Sequence, residues 1–311
     1  MSLSHLRQHR ATLIIYGVLM ALILASSVAS EVFPTSRNLN NLILQAVALG
    51  IVSIGQTMVL ITAGIDLSVG SVISLSTCLT TGLIHGRRPL VIPVLALVVA
   101  VALLIGFSNG LIIVKTQVSP LIVTLAMMSI VQGAVFLYTK GPVGEIPSSF
   151  SFLAWGKLGG IPFPVYLLGT VAIAGIILQK RMTFGRYLYA IGGSEEIARR
   201  SGINVERIKI TTYMLCSFAA ALTGIFLSSR MGQGDPLAGE RYMIDSIIPA
   251  LIGGTSLTGG KGGIVGTIAG ISILTIVSNI LNLLNVETYW QWVVTGLIVI
   301  VAVACCGKGK T

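Results

Sequence analysis

The feature that most limits the fold of this chain is a succession of long apolar segments, from about residue 11 to residue 306. A helix needs about 20 apolar residues to cross a hydrocarbon core of about 30 Å, and the segments have this length. Only helices and closed barrels satisfy the backbone in lipid, and the alternation of a barrel strand is missing. With 10% charged residues the chain has too little polar surface for water. We therefore predict an all-α polytopic membrane protein.

About ten transmembrane helices are predicted. They lie near residues 11–30, 41–63, 67–84, 90–114, 118–138, 163–180, 209–230, 242–258, 263–284 and 288–306. Glycines interrupt several of them, which allows broken or re-entrant helices. The first span also has the pattern of a cleavable signal peptide, but its apolar run is long for one, and a retained helix is preferred. No linker divides the array, so residues 1–311 are predicted to form a single transmembrane domain.

The positive charges predict the orientation of the chain. The largest basic loop runs from Lys180 to Lys209. Because Lys and Arg accumulate in cytoplasmic loops, we place this loop in the cytoplasm. Six spans precede it and ten are predicted in all, so both termini are cytoplasmic as well. Lys308 and Lys310 agree, whereas a short external loop with Arg87 and Arg88 goes against the trend.

Motifs for energy coupling or catalysis are missing from the sequence. Residues 259–263 contain a lysine among glycines but do not match the P-loop pattern GxxxxGK[ST]. The cysteines lack metal-ligand spacing, so no metal site is predicted. His5, His9 and His85 lie near ends or loops, which argues against a membrane-embedded enzyme. If transport is driven by ATP, the ATPase must be another polypeptide.

Three segments differ from ordinary membrane helices. Residues 63–71, AGIDLSVGS, place Asp66 and Ser68 between two spans, where they either cap a helix or line or gate a pathway. Residues 251–263, LIGGTSLTGGKGG, predict positive φ angles and close backbone approach, and a packed turn is preferred to a phosphate cradle. In the basic loop, Ser194 precedes two acidic residues, which predicts an N-cap and a short helix from Glu195 to Ser201 that ends at Gly202. This helix either docks into a partner or belongs to an ordinary positive-inside loop.

Polar residues within apolar spans are candidates for a pathway. They are Gln56, Asn109, Thr124, Gln132, Asp245 and Asn282. Each faces a pathway or hydrogen-bonds a neighbouring helix. Asp245 is preferred, because an unpaired carboxylate in lipid is costly. Its span starts near the external side, so it either meets an incoming substrate or lies in the headgroup region. Arg230 and Arg241 nearby either dock a partner protein or pair with Asp235 and Glu240.

Three sequence stretches carry a resemblance to a known family. GQTMVLITAGIDLSVGSVISLS, FGRYLYAIGGSEEIARRSGINVERIKI and IGGTSLTGGKGGIVGT occur in this order. Together they closely resemble the ribose-type permeases of binding-protein-dependent ABC importers, over about residues 33–303. The resemblance implies the ABC-importer permease fold in the bacterial inner membrane. It also implies a second permease (identical or paralogous), an ATP-binding subunit that carries ATP and Mg, and a periplasmic sugar-binding protein. No cofactor is expected on this chain.

The same resemblance implies that residues 180–209 form the loop that couples to the ATPase. The implied coupling residues are Phe184, Gly185, Arg186, Ala190, Gly192, Gly193, Glu195, Glu196, Ala198 and Gly202. ATP would move the short helix and give alternating access, which requires two global states. The chain departs from the family at Ser194, where asparagine is common, and at Gln132, where relatives often carry arginine. The lost charge either alters which substrate passes or reflects a different local pairing.

The resemblance implies import of a monosaccharide, a ribose-like pentose or a hexose. A branched-chain amino-acid permease is a more distant possibility. The alternative from another class is a stand-alone secondary transporter or facilitator. Such proteins commonly carry charges near the bilayer centre, and the central spans here are nearly free of them.

Overall fold

A computed structural model describes residues 3–307, and the side chains of residues 15–300 apart from 288 and 299. Lys308 and Lys310, which support the predicted orientation, lie outside the described residues. Helices are numbered in chain order. The long ones are α1 (Leu3–Ala29), α2 (Ser36–Ile61), α3 (Val69–Ile84), α4 (Val91–Thr116), α5 (Pro120–Tyr138), α7 (Phe163–Lys180), α10 (Val205–Met231), α13 (Ile264–Leu283) and α14 (Thr288–Gly307).

Shorter elements connect the long helices. They are a 3₁₀ turn (Arg88–Leu90), α6 (Phe152–Trp155), α8 (Thr183–Gly193), α9 (Glu195–Arg200), α11 (Tyr242–Asp245) and α12 (Ile248–Ile252). The strands β1 (Lys157–Leu158) and β2 (Ile161–Pro162) pair antiparallel between α6 and α7.

Among the residues that the structure describes, six helices are long and apolar enough to cross a membrane. They are Ser36–Ile61, Arg88–Thr116, Pro120–Tyr138, Phe163–Lys180, Val205–Met231 and Ile264–Leu283. Three shorter apolar helices, Ile15–Ala29, Val69–Ile84 and Tyr242–Ile252, coincide with three further predicted spans. The prediction of a helical, multi-pass membrane protein is therefore confirmed, whereas the total of ten transmembrane helices stays a prediction.

Burial separates the inner helices from the outer ones. The most apolar windows of α2 and α10 are 78% and 67% buried, but those of α4, α5 and α7 are only 22% buried. Since all five are apolar, the outer helices present their side chains to lipid and the inner ones pack against protein. The core between α2, α3, α4 and α10 includes Ile51, Val59, Ile73, Tyr213 and Phe226.

The eighth predicted span is broken. Instead of one helix over 242–258, α11 and α12 cover 242–252 in two short pieces, and irregular backbone follows. The backbone of this broken segment packs directly against the backbone of α13. A Cβ at Gly270 would lie only 2.1 Å from the carbonyl oxygen of Pro249. Only glycine allows this approach. The sequence allowed for broken helices, and this predicted span is one of them.

Candidate functional site

Backbone from all three unusual sequence segments meets at one end of the helix bundle. The amide of Gly260 donates to the carbonyl of Ile61 at 2.9 Å. Gly192, at the end of α8, lies against both: a Cβ there would be 1.8 Å from the oxygen of Ile61 and 2.4 Å from the nitrogen of Gly260. We call this contact of residues 61–63, 192–193 and 259–260 the glycine junction, and the end of the bundle that carries it the α8 face.

Side chains reinforce the glycine junction. Gln179, at the end of α7, donates from Nε2 to the Tyr189 hydroxyl at 2.7 Å and accepts from the amide of Ile264 at 3.1 Å. The Tyr189 hydroxyl in turn donates to the carbonyl of Gly262 at 2.7 Å. These bonds tie α7 and α8 to the first turn of α13. Neither residue was predicted from the sequence, where a glutamine next to a basic loop is the only signal that could have indicated them.

Helix α8 was not predicted, because only the short helix after Ser194 was expected within the basic loop. Three of its eleven residues are glycine, which disfavours a helix by about 1 kcal/mol each, so propensity argued against it. Packing overrides this preference, because Leu188 and Ile191 are buried and Gly185 and Gly192 allow close contact with the spans. The short helix that follows was correctly predicted within one residue. The Ser194 hydroxyl caps it by accepting from the amide of Ile197 at 3.3 Å.

The implied coupling residues divide into an inner and an outer group. Facing the protein are Gly185, Gly192 and Ala198, with Phe184 and Glu195 half-buried. Exposed on the outside are Arg186, Ala190, Gly193, Glu196 and Gly202. The first group positions α8 and α9, whereas the second is available to another molecule.

Ion pairs hold α9 against α10. Glu195 pairs with Lys209 and, at 3.3 Å, with Arg199. Partial burial alone would raise the pKa of Glu195, but the hydrogen bonds and charges of these two cations lower it. Glu196 pairs with Arg200 at 2.6 Å on the exposed side, where such a pair contributes little.

The turn between α2 and α3 forms a buried polar cluster. Asp66 Oδ1 accepts from the amide of Ser68 at 3.0 Å and from its hydroxyl at 2.6 Å. Asn109 of α4 donates from Nδ2 to the Ser68 hydroxyl at 2.9 Å, and Thr124 of α5 donates to the carbonyl of Ile65 at 3.3 Å. Four of the predicted pathway residues thus come together, but all four are fully buried. This geometry supports the interpretation of Asp66 as a residue that orders the turn before α3.

Burial raises the pKa of Asp66 to about 6, against the hydrogen bonds from Ser68 that lower it. The folded chain therefore holds this proton more tightly than the unfolded chain. Folding stability falls as the pH rises from about 4 to about 6 and then levels off. The shift of roughly two pH units corresponds to about 3 kcal/mol.

We expect Asp66→Asn to remove this pH dependence, because asparagine can still accept from Ser68 and cannot ionise. In detergent, the melting temperature of the variant should exceed that of the wild type at pH 7.5 and match it near pH 4. The control is Glu196→Gln, on an exposed residue. A difference between Asp66→Asn and wild type that is the same at both pH values would contradict the raised pKa of the buried carboxyl.

The opposite end of the bundle, which we call the far face, contains a polar cavity of about 180 Å³. Its walls come from α2, α10, α11, α13 and α14. The polar residues that line it are Gln45, Arg230, Arg241, Tyr242, Asp245, Thr275, Ser278, Asn282 and Gln291. Two of the predicted pathway residues, Asp245 and Asn282, are therefore part of one site.

Hydrogen bonds fix the arrangement of the far-face cavity. Arg241 Nε donates to Asp245 Oδ2 at 3.3 Å, and Gln291 Nε2 donates to Asn282 Oδ1 at 2.9 Å. Pairing of Arg241 with Asp235 or Glu240 was one of the alternatives expected for it, but one turn of helix brings Asp245 to Arg241 instead.

The remaining two pathway candidates lie elsewhere. Gln56 is buried in the core and accepts from the Cys216 thiol at 3.3 Å. Gln132 donates to the carbonyl of Pro236 at 2.9 Å and so fastens α5 to the segment between α10 and α11. Neither lines the far-face cavity, so the structure does not bring either of them to a site.

Comparisons with known proteins agree with this architecture. Residues 38–303 match a family model described as the branched-chain amino acid transport system permease component. The ribose import permease of Escherichia coli strain K12 is 39% identical over 295 residues, which cover 93% of this chain and 92% of that protein. The ribose import permease of Bacillus subtilis strain 168 is 38% identical over 92% of this chain and 89% of its own length.

A xylose transport system permease from Haemophilus influenzae is 31% identical and is matched over 94% of both chains. No solved structure matches significantly. The resemblance that the three sequence stretches indicated is confirmed.

Proposed function

We propose that this chain is the membrane permease of an ABC importer for a monosaccharide. The premise is that the chain belongs to the family described as the permease component of branched-chain amino acid transport systems. The chain forms half of the translocation pathway, and residues 1–311 are one domain. It lies in the bacterial inner membrane with both termini in the cytoplasm. A separate ATPase subunit binds ATP and Mg, and this chain binds no cofactor. A second permease, identical or paralogous, and a periplasmic sugar-binding protein complete the assembly.

The observation that carries this proposal is the outer surface of α8 and α9. Apolar side chains are exposed here within a charged loop: Tyr187 is 38% exposed and Ile197 66%. Ala190 and Gly193 lie between them and carry no large side chain. A Cβ at Gly193 would meet nothing within 4 Å. A short helix of this kind fits a groove on a partner. We assign that groove to the ATPase subunit.

The glycine junction connects this surface to helices that cross the membrane. Since α8 touches the backbone at the end of α2 and the turn before α13, a displacement of α8 acts on both helices. The same two helices carry walls of the far-face cavity at their other ends, through Gln45 on α2 and Thr275 on α13. A switch also needs two arrangements that the partner binds with different affinity. We propose that ATP binding to the partner selects between them.

The predicted site residues take different roles in this proposal. Asp245 and Asn282 face the pathway at the far face. Asp66, Ser68, Asn109 and Thr124 hold the α2–α3 turn near the glycine junction, where its movement would gate the pathway. For Gln56 and Gln132 we propose helix-to-helix contacts only.

We propose a pentose or hexose as the substrate, with support from the relatives. The family model is described by branched-chain amino acid transport, but relatives 31–39% identical over nearly the whole chain are ribose and xylose permeases. Similarity over the full length to proteins named for pentoses favours a sugar over an amino acid.

Gentle extraction from the native membrane tests the function. We expect a tagged chain to co-purify with an ATP-binding subunit in stoichiometric amount, identified by mass spectrometry, and to move sugar in liposomes only when ATP is present. A matched preparation of Ile197→Glu, which places a charge on the outer surface, should retain less of that subunit. If the chain came out alone and moved solute without ATP, a facilitator would be the better account.

A further inference from the structure

We propose that the far-face cavity is a receiving site for one neutral monosaccharide, with an apolar floor formed by Leu49 and Leu274. The inference rests on the proposed function and adds to it a specific site, its ligand class and the residues that hold the ligand.

The dimensions of the cavity fit one sugar ring. Its volume is about 180 Å³, and a cavity of about 150 Å³ is known to admit benzene, a ring of six carbon atoms. Asn282 and Thr275 both line it and are seven residues apart on α13, which corresponds to a depth of about 10 Å. A ligand that entered at the far face would therefore sink about two helical turns into the bundle.

The lining offers hydrogen bonds of the kind that hydroxyl groups need. Amide and hydroxyl side chains from α2, α11, α13 and α14 line the cavity, among them Gln45, Thr275 and Ser278. Thr275 is 4% exposed, and its hydroxyl has no hydrogen-bond partner among the described residues. A buried hydroxyl without a partner costs about 1–3 kcal/mol. The oxygen itself is covered in this structure, and rotation of the Thr275 side chain toward the cavity would let a ligand hydroxyl satisfy it.

The charges argue for a sugar over an amino acid. Asp245 is already paired with Arg241 at 3.3 Å, so it is not free to hold an ammonium group as its main partner. An Arg–carboxylate pair still presents donors and acceptors to hydroxyl groups in fixed positions. Arg230 also lines the cavity and adds further donors but no negative charge. The site thus favours a ligand rich in hydroxyl oxygens.

The walls of the site are held in place independently of the ligand. Asn38 of α2 and Asn279 of α13 exchange two hydrogen bonds of 3.0 and 2.7 Å. Both side chains are buried near the far-face ends of their helices. At the bottom, Leu49 of α2 is 8% exposed and Leu274 of α13 is 4% exposed. Apolar constrictions of this kind can close a polar path, and here they lie on the two helices that the glycine junction touches.

The test measures binding of D-ribose, D-xylose and L-leucine to the purified full chain in nanodiscs by ligand-observed NMR. We expect saturable, weak binding of one or both sugars and none of L-leucine. Thr275→Val, which removes one hydroxyl without changing shape, should weaken sugar binding about three- to tenfold. Asp245→Asn should weaken it about tenfold or more, because charge-assisted hydrogen bonds are stronger. Ser272→Ala is the control, since its hydroxyl bonds to the carbonyl of Ile268 on the same helix and does not line the cavity.

Several results would overturn the proposal. They are absence of saturable sugar binding to the wild type, equal affinities of Thr275→Val and Ser272→Ala, or preferential binding of L-leucine. If the chain bound no sugar but co-purified with an ATPase, the cavity assignment alone would fail. Sugar binding by a chain that has no ATPase partner would instead reject the importer function and leave the site intact.

Discussion

Replacement of Gly193 by tryptophan is expected to leave the chain folded in the membrane and to reduce ATP-driven uptake about tenfold or more. Gly193 lies on the outer surface of α8, where a side chain would meet no atom of this chain within 4 Å. The indole would therefore occupy space that the proposed partner groove needs. A tenfold loss lies within the usual range of coupling free energies, about 1–3 kcal/mol.

Two variants make the Gly193 experiment specific. Gly133→Trp places the same side chain at another open helical position, on α5, and should transport normally. Gly192→Leu, one residue away, should fail differently, because its Cβ would lie 1.8 Å from the carbonyl oxygen of Ile61. We expect that variant to lose folded, monodisperse protein. Normal ATP-driven uptake by Gly193→Trp, in reconstituted liposomes, would show that this surface does not couple to the ATPase.

Replacement of Gly270 by leucine should cause a large loss of stability in the membrane domain. A Cβ at this position would lie 2.1 Å from the carbonyl oxygen of Pro249, so α12 and α13 would have to separate. Overpacking commonly costs about 1–3 kcal/mol, and here the obstacle is backbone, which cannot rotate away. We expect a strongly reduced yield of folded protein and a melting temperature several degrees lower in detergent.

Gly169→Leu is the matched control for this prediction. Gly169 lies within α7, another long helix, and a Cβ there would have no neighbour within 4 Å. Leucine is a better helix former than glycine by roughly 1 kcal/mol, so this variant should melt at the wild-type temperature or above it. Equal melting temperatures for the two leucine variants would contradict the close packing of α12 on α13.

The sequence predicted some parts of the site well. Ser194 as an N-cap followed by two acidic residues is a local pattern, and α9 begins at Glu195 and ends at Arg200, one residue before the predicted end. Positive φ angles were expected in residues 251–263, and Gly254, Gly259, Gly260 and Gly262 have them. Such features depend on interactions within one or two turns of the chain, so a single sequence contains the needed information.

The pathway candidates show the limit of this reasoning. Polarity inside an apolar span selected six residues, but it could not distinguish a residue that lines a cavity from one that bonds a neighbouring helix. Asp245 and Asn282 line the far-face cavity, whereas Asn109 and Thr124 are fully buried beside the α2–α3 turn. Gln45 and Thr275 were not considered, because one polar group in a long apolar helix carries little signal.

The sequence by itself determined that this chain is a helical membrane protein, because the length and hydrophobicity of its segments leave lipid as the only suitable solvent. It also determined the family, through three motifs in a fixed order. Only the tertiary structure decided that these motifs meet at the glycine junction, and that α2 and α13 extend from it to a polar cavity at the far face. The physical reason is that both sites are built from contacts between residues far apart in the chain, such as Gly192 with Gly260, 68 positions apart, and Asn38 with Asn279, 241 positions apart. Helical periodicity carries no information at that range.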